Sequence, residues 1–222
     1  MSFNEGIDDS VDATRTRPSV SGKFASFGKN IGTSVLLIAG LLALMWVIEA
    51  LDTVILSDSL QSNGIRPRTV SGLDGVIWSP FLHSGFPHLI SNSVPFFVLS
   101  LLTLTGGRAR FIKASVIIIG LGGLAVWAFA FGSNENHIGA SGWVFGLLGF
   151  LLAAALLEKR PLGIAAGLIA LIFYGGTILT SFVPTSGISW EGHLFGFIAG
   201  MSAARVLVSK RSIPSLSPPE TV

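Results

Sequence analysis

Ser141 stands in the run Ile138-Gly139-Ala140-Ser141-Gly142-Trp143, at the head of an apolar stretch. The flanking glycines permit close backbone approach and unusual dihedrals. A helix start also presents unpaired N–H groups and the positive end of the helix dipole. An alkoxide or tetrahedral oxyanion formed there is stabilised, although a serine in that place can equally serve only as a helix cap. His193 opens another apolar stretch in Gly192-His193-Leu194-Phe195-Gly196, with Gly200 beyond. His193, Gly196 and Gly200 fall at i, i+3 and i+7, on one helix face. Such a face can press against a neighbour, and if that neighbour is the Ser141 helix, His193 meets Ser141. Histidine is the side chain best suited to take a serine proton near neutral pH. As an isolated feature it could instead face water. His88 and Asn92, at i and i+4, share a face and both can donate hydrogen bonds. That pair suits a side-chain oxyanion hole or a polar contact between helices.

The elements that must carry these residues follow from composition. Of 222 residues, 50% are hydrophobic and only 12% charged. Mean hydropathy is +0.71. An average soluble domain has roughly twice that charged fraction. A membrane helix needs about 20 mostly apolar residues, and six stretches meet that template, near residues 31–48, 88–105, 114–131, 141–157, 162–183 and 193–208. Small residues about four apart, as in Gly120/Gly123/Ala125, Gly142/Gly146/Gly149 and Gly196/Gly200, allow backbones to approach within lipid. The expectation is an all-α polytopic membrane protein.

Orientation follows from the basic residues. With the N-terminus inside, all of the 14 lysines and arginines except Arg66 and Arg68 fall on the cytoplasmic side. Both termini are therefore expected to be cytoplasmic. Residues 1–30 and 210–222 read as disordered tails flanking a six-helix membrane domain over 31–209. The net charge of +2, with no concentration of basic residues beyond the loops, gives no sign of nucleic acid as a partner. A long external connection, residues 51–87, carries the apolar stretch 76–82, in which Trp78 and Phe81 would suit the headgroup level. Glu49 and Asp52 read as marking the external boundary of the first span, and His83 and His137 as loop histidines near the outer surface. His137, four residues before Ser141, could also tune the site electrostatically.

Three motifs in this order, His88-x-x-x-Asn92, Gly139-x-Ser141-Gly142 and His193-x-x-Gly196-x-x-x-Gly200, resemble the rhomboid family of intramembrane serine proteases. The resemblance covers about residues 85–207. It implies a six-transmembrane-helix bundle and a Ser–His dyad with no third carboxylate, Ser141 as nucleophile and His193 as general base and then acid. It further implies an oxyanion site from the Ser141 backbone N–H with His88 and Asn92, supported by Gly139, Gly142, Gly196 and Gly200. The residue one turn after the serine is often a tyrosine in this family. Here Phe145 keeps a stacking ring and lacks the hydroxyl. A Trp-Arg pair that some members carry in the first external loop has no clear counterpart. Residues 186–191, with Gly187, Ile188 and Trp190, would by analogy form a lid. The implied partners are transmembrane protein substrates and the lipid bilayer, with no cofactor. The compact six-span layout and the lack of an organelle-targeting signal point to a prokaryotic plasma membrane, with the site opening outward.

Other classes fit less well. With no cysteine, thiol catalysis, disulfides and zinc fingers are excluded. HExxH is absent, so a metalloprotease and any catalytic metal are not expected, and a pair of intramembrane aspartates is also missing. A transporter would be expected to show an internal repeat with paired broken helices. The alternative that keeps the fold is a catalytically silent rhomboid-like protein that binds transmembrane helices.

Overall fold

The computed structural model describes residues 20–131, 135–184 and 189–208. The chain divides into two compact units, Met1–Thr33 and Ser34–Val222. Of the first, the described residues are the opening of helix α1, Val20–Val54. The expected tails at 1–30 and 210–222 lie outside the described residues except for 20–30, which are helical. No proline follows Pro18 until Pro67, so nothing in the backbone stops a helix from extending ahead of the apolar run.

Five further long helices follow. They are α2 (Phe86–Leu104), α3 (Arg108–Phe129), α4 (Ser141–Glu158), α5 (Pro161–Ser181) and α6 (Trp190–Leu207). Four segments, Gly32–Val54, Phe86–Leu104, Arg108–Phe129 and Ser141–Glu158, are long and apolar enough to cross a bilayer. Helix α5 contributes a shorter apolar stretch, Pro161–Gly176, and α6 carries Glu191 in its first turn and Arg205 in its last.

Helix α4 is apolar on every face, and its first half is enclosed by its neighbours. Trp143, Val144, Phe145, Leu147, Leu148, Phe150 and Leu151 are all buried. Trp143 anchors an aromatic cluster with Phe96 of α2, ring centroids 4.7 Å apart, and with Phe111 of α3. Its indole N–H donates to Ser115 Oγ at 3.0 Å. At the far end of α4 the buried carboxylate of Glu158 pairs with Arg110.

Helix α6 lies against α4 at backbone distance. A Cβ on Gly196 would fall on the carbonyl oxygen of Gly142, one on Gly200 on that of Gly146, and one on Gly149 on that of Phe197. Helix α3 joins this contact through Gly122, which its sequence spacing does not select, while of the two glycines it does select only Gly123 is closely packed. Gly120 faces open space, whereas Gly122 meets Gly196 and Gly123 meets Val76. The reason is a π-helical turn over Ile118–Gly122, whose wider winding rotates the following residues away from the regular 3.6-residue register.

The connection from α1 to α2 is folded rather than slack. It contains 3₁₀ turns at Ser59–Asn63 and Val70–Gly72, a short helix Gly75–Trp78 and a further turn Ser79–Phe81. Trp78 is exposed, as the apolar stretch suggested, but Phe81 packs on Trp143. Glu49 and Asp52, expected as boundary markers, are both buried. Asp52 accepts a hydrogen bond from the Leu60 backbone at 2.8 Å, so it ties this connection back to α1.

The close packing makes a testable distinction between glycines. Gly200→Ala should lower the thermal unfolding midpoint in detergent, by an equivalent of about 1–3 kcal/mol for overpacking. Gly40→Ala, on a face of α1 with open space around it, should be neutral or stabilise by up to about 1 kcal/mol through helix propensity. Equal effects of the two would contradict the packing described here.

Candidate active site

Ser141 is the first residue of α4, and three of the four residues before it are held by the α1–α2 connection. His137 and Ile65 exchange backbone hydrogen bonds at 2.9 and 3.0 Å. The Gly139 N–H donates to Ser79 O at 2.9 Å. The Ala140 N–H donates to the imidazole Nε2 of His83 at 3.3 Å. These bonds place the chain in a turn where Gly139 has φ +113°, a conformation that strongly favours glycine.

Gly139 also makes room for His88. A Cβ there would sit 2.7 Å from His88 Nε2 and 3.8 Å from Asn92 Nδ2. Both side chains therefore approach the backbone immediately ahead of Ser141. The Ser84 backbone N–H donates to His88 Nδ1 at 3.4 Å, with Ser84 Oγ at 3.1 Å from the same nitrogen. A neutral imidazole that accepts at Nδ1 carries its proton on Nε2, the nitrogen facing Gly139. Asn92 spends one amide hydrogen on His88 O at 3.2 Å and keeps the other. The next residue, Gly85, has φ +100° and its backbone hydrogen-bonds the carboxylate of Glu49, so a buried acid in α1 braces the turn that orients His88.

His193 lies one turn into α6, because the helix starts three residues earlier than its apolar run. Ser189 caps it by accepting from Gly192 N–H at 3.1 Å. The His193 ring stacks on Phe145, centroids 4.5 Å apart and planes 21° from parallel. Its Nδ1 lies 3.1 Å from the Ser181 carbonyl at the end of α5. Only an Nδ1–H can make that bond, so Nε2 bears the lone pair. Gly142 and Gly196 remove the side chains that would otherwise hold α4 and α6 apart. Ser141, His193, His88, Asn92 and Phe145 all line one cavity of about 1590 Å³. It runs from polar walls at Ser84, Ser189 and Glu191 to apolar ones at Leu99, Leu148 and Phe173. The hydrogen bond of His193 goes to Ser181 rather than to Ser141. Such nucleophile–base contacts often tighten only with substrate bound.

Two histidines read as surface residues are interior ones. His83 is fully buried and stands edge-on to His88 at 5.1 Å. Burial, and secondarily the neighbouring His88, pushes its pKa down to about 4. It therefore stays neutral and keeps Nε2 as an acceptor for Ala140. His137 is 5% exposed, its pKa lowered by burial against the opposing pull of Glu191 and Glu135. Ser181 and Ser189 act through backbone or capping atoms, which leave no pattern in sequence. Of the expected lid, residues 186–188 lie outside the described residues, while Trp190 and Glu191 belong to the first turn of α6.

A histidine kept neutral by burial costs stability when the unfolded chain can protonate it. His83 binds its proton near pH 4 when folded and near the ordinary 6.5 when unfolded, so its contribution is unimpaired above about pH 6.5 and erodes as pH falls toward 4. The thermal midpoint should drop across that window, and the drop should be shallower in His83→Gln. A pH profile unchanged by that substitution would contradict the assignment.

Comparison with known proteins places the chain in a family. The Rhomboid domain family model matches residues 72–210. An uncharacterized Mycobacterium tuberculosis protein is 42% identical over 184 residues, covering 79% of this chain and 75% of its own. A Mycobacterium leprae relative, also uncharacterized, is 37% identical over 75% of this chain and 68% of its own. A Bacillus subtilis protein whose name includes the words rhomboid protease is 33% identical over 59% of this chain and 65% of its own. With its helices suited to the bilayer and a family match extending from the short helix before α2 to the end of α6, this chain belongs to the rhomboid family.

Proposed function

We propose that this protein is an intramembrane serine endopeptidase that hydrolyses peptide bonds in or near transmembrane segments of other proteins. The observation that carries the reading is the setting of His193, stacked on Phe145 and hydrogen-bonded through Nδ1 to Ser181, in the cavity that Ser141 lines. A base needs a free lone pair and a fixed orientation. Here the stack and the Ser181 carbonyl supply the orientation, the service a carboxylate performs in a triad.

In this mechanism His193 Nε2 takes the Ser141 hydroxyl proton as Ser141 Oγ attacks the scissile carbonyl carbon. The carbonyl oxygen becomes an oxyanion that accepts hydrogen bonds from Ser141 N–H, His88 Nε2–H and the free Asn92 amide hydrogen. The imidazolium returns its proton to the leaving amine, which departs and leaves an acyl-enzyme. Water, deprotonated by the same Nε2, attacks the ester. Collapse of the second tetrahedral intermediate releases the carboxylic product and returns the proton to Ser141. The cavity that Gln61, Asn136 and Ser189 also line gives that water a polar path in a protein otherwise surrounded by lipid.

The topology proposed with this function has six spans and cytoplasmic termini in a prokaryotic plasma membrane. The membrane domain covers 31–209, tails cover 1–30 and 210–222, and the site opens to the outer side. The placement of Arg108, Arg110, Lys159, Arg160 and Arg205 supports it. A transmembrane substrate hides its carbonyls in helical hydrogen bonds, so it must unwind locally before attack.

The reading is tested by reconstituting the purified protein with a fluorogenic transmembrane peptide and a serine-directed phosphonate. Cleavage and labelling should both be lost in Ser141→Ala, by at least about 10³-fold in turnover. Cleavage that persists in that variant would remove the assignment, and a folded wild-type protein that neither cleaves nor labels would favour the helix-binding alternative. Asn92→Ala should lower kcat by about 10–10²-fold, since two other donors remain. An unchanged rate for the chemical step would exclude Asn92 from the oxyanion site.

A further inference from the structure

Glu135, His137 and Glu191 converge beside the candidate dyad and have no role in the mechanism above. Each offers a ligand atom, and the ring nitrogen and two carboxylate oxygens all lie within 4.8 Å of one another. His137 is 5% exposed, and its Nε2 is buried without a hydrogen-bond partner. An unpartnered buried nitrogen is costly, and a cation held between it and the two carboxylates would satisfy all three groups. Glu191 is buried as well, and among the described residues neither acid is in an ion pair with a lysine or arginine.

We infer that Glu135, His137 and Glu191 form a binding site for a divalent transition-metal ion of the zinc type, clamping the segment ahead of Ser141 to the first turn of α6. One imidazole and two carboxylates are a donor set suited to zinc. A tetrahedral ion with bonds of about 2.0–2.2 Å holds its ligand atoms roughly 3.3 Å apart. Closing from 4.8 Å requires at most about 1.5 Å of movement, which the exposed Glu135 side chain can supply by rotation. The fourth position faces the cavity that all three residues line, where water can occupy it.

The supports around the ligands are those such sites use. Ser189 Oγ lies 2.6 Å from His137 Nδ1, fixing the ring and leaving Nε2 as the nitrogen for an ion to engage. The Phe131 N–H donates to Glu191 Oε1 at 3.4 Å, leaving Oε2 available. The ion has no part in hydrolysis. Its effect is mechanical, because His137 is four residues before Ser141 and Glu191 two before His193.

The test uses the full chain, purified in detergent without a histidine tag and stripped with a chelator that is then removed. Zinc chloride should bind saturably at one ion per chain by calorimetry and raise the thermal midpoint. Magnesium, which demands an octahedral shell of oxygen ligands, should leave the midpoint unchanged. Glu135→Gln and Glu191→Gln should each weaken zinc binding at least about tenfold. Glu135 is exposed, so its substitution leaves the core intact and that variant decides the matter even if Glu191→Gln unfolds. Absence of saturable zinc binding, an equal shift with magnesium, or undiminished binding by Glu135→Gln would each overturn the inference. None of these measurements requires proteolysis, so their failure leaves the reading of Ser141 and His193 untouched.

Discussion

The contact on which the rest depends is the backbone-to-backbone packing of α4 and α6. Gly149 on one helix and Gly196 and Gly200 on the other leave no room for a single methyl group against the facing backbone, and Gly142 and Gly146 lie nearly as close. In lipid, where apolar burial gives little drive for helices to associate, close van der Waals contact of this kind holds them together. It also fixes register. Gly196 against the Gly142 carbonyl sets how far His193 stands from the head of α4, and a slip by one turn would carry the imidazole away from the level of Ser141. Packing and site geometry are therefore one constraint, and glycine is required for both.

Given that register, the imidazoles are oriented by main-chain groups rather than by carboxylates. Ser181 O fixes the proton of His193 on Nδ1 and Ser84 N–H fixes that of His88 on Nε2. The two assignments are opposite and complementary, one ring offering a lone pair and the other a donor to the same cavity. A carboxylate on His193 Nδ1 would bring a further buried charge that must be desolvated and paired. A carbonyl at a helix end has an unsatisfied lone pair in any case, so using it for His193 adds no new buried charge.

Much of this was legible in the sequence, for physical reasons that also mark the limit. Ser141, His193, His88 and Asn92 are polar groups where lipid penalises polarity, so each stands out against its apolar surroundings. The glycines of α4 and α6 repeat at helical spacing in straight segments, so their shared faces follow from period alone. In α3 the same inference selects Gly120 and Gly123 and passes over Gly122, because a π turn changes the local period without any residue that announces it. His83 and His137 were misread as surface residues because they lie in a connecting segment, and length and composition do not reveal that it folds inward. Partners that act through backbone atoms, such as Ser181 O and Ser79 O, leave no trace in side-chain identity.

That connecting segment answers a question posed by α1. Glu49 and Asp52 are 1% and 2% exposed, although a helix that merely ended at the membrane surface would leave its acids in water. Burying a carboxylate is costly unless hydrogen bonds replace its hydration, and the partners here are informative. Asp52 receives the Leu60 N–H and Glu49 bonds to the backbone of Gly85, near the two ends of the segment between α1 and α2. Anchored at both ends, the segment presents Ile65, Ser79 and His83 to His137, Gly139 and Ala140, the residues that lead into Ser141. The first helix shares few contacts with the catalytic candidates themselves. Its two acids reach them through a chain of backbone hydrogen bonds, and the position of Ser141 is set as much from that side as from its own helix.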